Sequence, residues 1–121
     1  MASDRRRRER RGRRAETIAV ALLRIKGYSI LDRRARLSAG EIDIVAQRGR
    51  AIVFVEVKAR TSRADAAASI QPRQMSRIAR AAAQYLSGRA DLAGLDQRFD
   101  AVLIVRGTPQ HIINAWSESG D

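Results

Sequence analysis

Apolar positions along the 121-residue chain change period several times, and each change marks an element. Ile18, Ala19, Leu22, Leu23 and Ile25 recur at helical spacing and Gly27 follows, which predicts a helix over 15–26. Tyr28 and Ile30 begin an alternating stretch, read as a strand over 28–34. In EIDIVAQ, Ile42 and Ile44 fall on one face and Glu41, Asp43 and Val45 on the other. AIVFVEVKA is a β-branched run, the signature of a central strand buried on both faces. The intervening QRGR predicts a tight hairpin with Gly49 in the turn.

TSRADAAAS reads as a small-residue loop, and a second helix over 71–86 follows it. Pro72 suits that helix's first turn, and Met75, Ile78, Ala79, Ala82, Tyr85 and Leu86 form its apolar stripe. RFDAVLIVRG predicts a fourth strand, and QHIINAW a short fifth one after the turn at 107–109. The element order α-β-β-β-α-β-β describes one α/β domain over 15–121, with a mixed central sheet flanked by helices.

Charge adds a partner to this outline. Lys and Arg number 24 against 13 Asp and Glu, giving +11 and a pI near 11.6, which points to a polyanion such as nucleic acid. Residues 1–14 hold eight arginines against Asp4 and Glu9, a net +6 of that total. This segment is expected to be a disordered basic arm that adds phosphate affinity, a solvated tail, or a prolongation of the first helix. The rest of the chain remains basic without it.

Composition also excludes chemistry. With no cysteine there is no disulfide framework and no thiolate metal site, as fits a reducing cytoplasm. His111 is the single histidine, which excludes His-rich metal clusters and argues against Ser-His catalysis. No apolar run approaches the roughly 20 residues of a membrane span, and the basic start lacks a signal peptide's apolar core. A cytoplasmic protein without a membrane partner is expected. Five aromatic residues are too few for a base-stacking platform.

The remaining candidates are oxygen ligands and cations. If 47–50 close the hairpin symmetrically, Glu41 opposes Glu56, and Asp43 opposes Phe54 and lies diagonal to Glu56. Glu41, Asp43, Glu56 and Lys58 then share one face at one end of the sheet. Carboxylates this close repel one another and are costly against an apolar sheet, and Mg²⁺ or Mn²⁺ would offset them. Lys58 stands out because the only other lysine is Lys26, and an ammonium can approach a metal-bound water more closely than a guanidinium. The alternative is a salt-bridged sheet edge of Glu41, Asp43, Glu56, Lys58 and Arg60.

Arg33, Arg34 and Arg36 could hold phosphates beside this face, as could Arg60, or form a solvated strand end. Arg73, Arg77 and Arg80 make a phosphate-tracking ridge or the wet face of the second helix. Asp100 fits a cap or an arginine partner, and core packing and an edge position account for Trp116 and His111.

Asp43 together with EVK, Glu56 to Lys58, resembles the PD-(D/E)xK nuclease superfamily, whose fold core has the same element order. The blocks AETIAVALLRIKGYSIL, GEIDIVA, VFVEVKAR, ARAAAQYL and RFDAVLIV resemble the YraN-like family of small uncharacterised bacterial proteins, in the same order. That family is similar to Holliday-junction resolvases, which implies an endonuclease for structured or branched DNA. The resemblance implies that Asp43, Glu56 and the Val57 carbonyl bind the metal and that Lys58 orients the nucleophilic water. It brings in Glu16 as an additional carboxylate and Glu41 as an alternative or supporting ligand. Arg34 stands where the family often has asparagine, and Gln74 where a helix lysine is usual. Resolvase-like paired cuts would need a homodimer. Two other readings stay open: a nucleic-acid-binding protein of the same fold without turnover, and an interaction module for acidic partners.

Overall fold

The computed structural model describes residues 2–117, with side chains from Gly12 onward, so the arm's arginines up to Arg11 lie outside the described side chains. Helix α1 (Ala2–Ile25) leads into strands β1 (Ser29–Leu37), β2 (Gly40–Arg48) and β3 (Ala51–Arg60). Helices α2 (Arg63–Ala68) and α3 (Pro72–Ser87) follow, then a 3₁₀ turn (Ala90–Leu92), β4 (Asp96–Val105) and β5 (Thr108–Trp116). The strands form one sheet in the order β1-β2-β3-β4-β5. Neighbours are antiparallel except β3 and β4, whose parallel pairing requires the crossover that α2 and α3 supply.

Two apolar layers hold the helices on opposite faces. Alternation along β3 sends Val53 and Val55 toward Ala19, Val20 and Leu23 of α1. Ile52 and Phe54 point the other way, into a layer with Ile78, Ala82 and Tyr85 of α3 and Phe99 and Trp116. Phe54 stands 5.7 Å from Phe99 and 6.1 Å edge-on to Tyr85 between ring centroids. The expected central strand is thus buried on both faces, and no helix among the described residues is long and apolar enough to cross a membrane.

Three local expectations change. The basic segment is helical from Ala2, so it prolongs α1, consistent with the high helix propensity of arginine. The stretch expected as a loop contains α2, started by Ser62, whose side chain accepts from the Asp65 N–H, and carried by alanines. The third change is the register of the β2–β3 hairpin. Arg48 pairs with Ala51 and Ile44 with Val55, so the loop is Gly49–Arg50, two residues tighter than closure over 47–50. Gly49 takes φ 58, the left-handed backbone that such a turn needs. A two-residue slip keeps every side chain on its face, but it moves Asp43 from the level of Phe54 to that of Glu56.

Candidate active site

The β2–β3 ladder ends at Ile44–Val55, and just beyond it the Asp43 and Glu56 carboxyl groups are hydrogen-bonded to each other. Asp43 Oδ2 accepts from the Val57 N–H at 2.8 Å. Glu56 Oε1 receives Lys58 Nζ at 3.2 Å and Gln74 Nε2 at 2.9 Å. Gln74 reaches in from the first turn of α3, beyond the Phe54 layer. Glu56 is only 4% exposed, in contrast to the solvated carboxylates of an ordinary charged strand edge.

Burial sets the electrostatics. It is the first cause that pushes Glu56 up, to about 8, followed by the Asp43 carboxylate, with Lys58 opposing. Burial also raises Asp43, against the Val57 N–H and a hydrogen bond from Glu56. The Glu56 carboxyl therefore keeps a proton near neutrality and donates it to Asp43. One lysine cannot balance two ionised carboxylates here, so the proton on Glu56 holds the place that a second positive charge could take.

This arrangement gives a stability prediction. An unfolded Glu56 loses its proton near 4.5, whereas the folded one holds it to about 8. Between those values the native state binds more protons, so stability falls as pH rises across that window. Melting temperatures measured in EDTA should decline from pH 4.5 to 8 in the wild type and much less in Glu56→Gln. Parallel curves for the two proteins would refute the assignment.

The other sequence candidates divide. Glu16 is buried on α1 and held by Arg33 Nε at 3.1 Å and Arg34 Nε at 2.9 Å. Arg34 reaches it from a left-handed backbone, φ 54, between the Arg33–Ile44 and Ala35–Ile42 pairs. Glu41 is half exposed and 3.7 Å from Arg36. Neither joins Asp43 and Glu56 in a cluster: among the described residues no three acidic or histidine side chains could hold an ion together. A two-carboxylate set still fits Mg²⁺, which commonly takes one or two carboxylates and fills its remaining positions with water and substrate oxygens.

Val57 stands between Glu56 and Lys58 in the β3–β4 ladder, across from Val102. Arg60 is exposed and donates to the neighbouring Ala59 carbonyl. Arg73, Arg77 and Arg80 are all exposed on α3. Gln74, visible in the sequence as a departure from the helix lysine of the family resemblance, proves to be the α3 residue on Glu56. Its place in the first turn after Pro72 was the available signal.

Asp100 belongs to a separate network. It is fully buried, and Arg98 grips both its oxygens at 2.9 Å while His111 Nε2 lies at 2.6 Å and the Asn114 N–H at 2.9 Å. Burial would raise its pKa, but these donors together hold it below the ordinary value. Lys26 donates to His111 Nδ1, which leaves Nε2 as the ring's donor to Asp100. The arginine partner expected for Asp100 is present, and the histidine joins it.

The match to known proteins is at family level. Residues 15–104 match the model of "Uncharacterised protein family UPF0102". The chain is 54% identical over 117 residues to the UPF0102 protein Mmar10_3014 of Maricaulis maris, covering 96% of this chain and 92% of that protein. A UPF0102 protein of Parvibaculum lavamentivorans is 54% identical over 108 residues, covering 88% and 81% respectively. A UPF0102 protein of Rhodopseudomonas palustris (strain HaA2) is 51% identical over 106 residues, covering 87% and 83%. The matched span contains Asp43, Glu56, Lys58 and Gln74, and the relatives are close to this chain in length, so the chain belongs to the UPF0102 family, to which its YraN-like blocks also point.

Proposed function

We propose that the protein is a metal-dependent endonuclease that hydrolyses phosphodiester bonds of nucleic acid at Asp43, Glu56 and Lys58. The observation that carries this reading is the hydrogen-bonded pair of carboxyl groups at the end of the β2–β3 ladder, Glu56 buried and Asp43 partly buried. Lys58 alone does not balance both groups when ionised, and the Glu56 proton that balances the second is one that a bound cation would displace. The PD-(D/E)xK resemblance gains support from the same geometry, because the acidic residue and the E-x-K segment lie on neighbouring strands at one level.

Asp43 and Glu56 would supply the oxygen ligands for Mg²⁺ or Mn²⁺, Glu56 in its deprotonated form. The chemistry that such a cation would supply there is positive charge at a phosphate oxygen and a more acidic water. Lys58, anchored on Glu56, presents its ammonium to the same space and can orient the attacking water and the developing charge. Gln74 fixes the Glu56 rotamer through Oε1. The +11 charge concentrates polyanions around the protein, while Arg36 and Arg60 offer exposed phosphate contacts. Arg33 and Arg34 stay tethered to Glu16 while remaining partly exposed, so they can serve a phosphate without losing that anchor. DNA rather than RNA, a branched structure as substrate, and a homodimer making paired cuts follow the family resemblance.

Cleavage of a labelled panel (duplex, single strand, flap, four-way junction and structured RNA) tests the proposal. With Mg²⁺ or Mn²⁺ the wild type should cut at least one substrate, EDTA should stop it, and Lys58→Met should be deeply impaired while still binding. Salt-sensitive binding with no cutting under any metal would instead identify a non-catalytic nucleic-acid-binding protein.

A further inference from the structure

Behind Glu56 and Lys58, β3 turns its alternate residues toward α1, and there the helix and the sheet separate to leave a cleft of about 690 Å³. Its apolar wall includes Ile18, Ala59 and Ile104, all buried or half-buried. Exposed Arg14, Arg60 and Arg106 stand around it, and among the described side chains no acidic one lines it. Arg106 is held by a two-residue hairpin turn: it and Gly107 take φ 51 and 81 between the Val105–Thr108 pair. The turn fixes where the Arg106 backbone starts, at the rim of the cleft. Lys58 also borders the cleft, so cleft and carboxylate pair share the last turns of the β3 backbone.

An apolar slot inside a ring of arginines suits an occupant with an uncharged body and anions on either side. A nucleobase with its flanking phosphates has this form, and an arginine plane can also stack on the base. A base inside an intact duplex cannot enter, because its faces are stacked and its edge is paired. We propose that this cleft seats one unpaired nucleotide of a nucleic-acid strand and so makes the protein select substrates that expose one. The inference rests on the nuclease reading and names the substrate feature that it would recognise.

Binding of the full-length protein in EDTA separates the two claims. The probes are a short single strand carrying 2-aminopurine and a blunt duplex of the same sequence; the variants are Ala59→Phe, which fills the slot without changing charge, and Arg106→Ala. Both variants should bind the single strand about tenfold more weakly and the duplex within about twofold of wild type, with the 2-aminopurine signal of the bound strand lost. Unchanged single-strand affinity, or equal losses on both probes, overturns the cleft assignment. If Ala59→Phe fails to fold by circular dichroism, the exposed Arg106→Ala decides by the same criterion. A mononucleotide that displaces the strand with equal affinity would make free nucleotide the ligand and also overturn it. Selective loss in a protein that never cuts refutes the nuclease alone, and unselective loss in a protein that cuts refutes the cleft alone.

Discussion

Glu56→Gln is expected to lower metal-dependent cleavage by well over about 100-fold, the upper range for changing a residue that merely supports a metal ligand. The amide keeps the shape of the side chain and can still accept from Lys58 and Gln74, so packing against Phe54 and α3 should survive. It cannot supply a charged oxygen ligand, and it removes the proton that Glu56 shares with Asp43. The same substitution should stabilise the metal-free protein above pH 8, where wild-type Glu56 is ionised in a buried place. Loss of activity combined with gained stability is the signature of a functional residue held at a structural cost. Initial rates at matched substrate affinity, with melts in EDTA, measure both. A variant that cuts at the wild-type rate would remove Glu56 from the mechanism.

Asp100→Ala is expected to cost about 3–5 kcal/mol, a large share of the roughly 5–15 kcal/mol that holds a domain together. The carboxylate gathers Arg98, His111 and the Asn114 N–H, and its loss leaves those donors facing a buried gap. Asn114 takes φ 56 where the β4–β5 register shifts between Phe99 and Ala101, so the strand itself is shaped to this carboxylate. Asp100→Asn keeps an acceptor and should lose less. Denaturant unfolding of both variants measures the difference, and an alanine variant within about 1 kcal/mol of wild type would mean that water replaces the carboxylate.

Much of this architecture was legible in the sequence because burial writes itself as period. The β-branched run of β3 announced a strand covered on both faces, and the stripe from Met75 to Leu86 announced α3. Register was not legible, because a hairpin loop of two residues and one of four both satisfy the alternation of Asp43, Val45 and Gln47. The same alternation named Asp43 and Glu56 on the correct face while misplacing their level. Alanine-rich α2 was hidden because small residues suit a loop and a short helix equally, and the deciding event is the Ser62 cap. The arginine clamp on Glu16 depends on the left-handed backbone of Arg34, which a branched-polar sequence pattern does not encode. The cleft beside α1 arises from where the helix leaves the sheet, a matter of packing between distant segments.

The parallel pairing of β3 with β4 divides the chain's folding problem in two. Strands β1, β2 and β3 form a meander whose turns are short, so Asp43 and Glu56 can be brought level by local contacts alone. Joining β4 requires closure of the whole crossover through α2 and α3, a search across far greater sequence separation. Gln74 rides on that crossover. Sequence separation therefore predicts that the carboxylates align before the crossover closes and that the side chain that fixes Glu56 arrives with the later step.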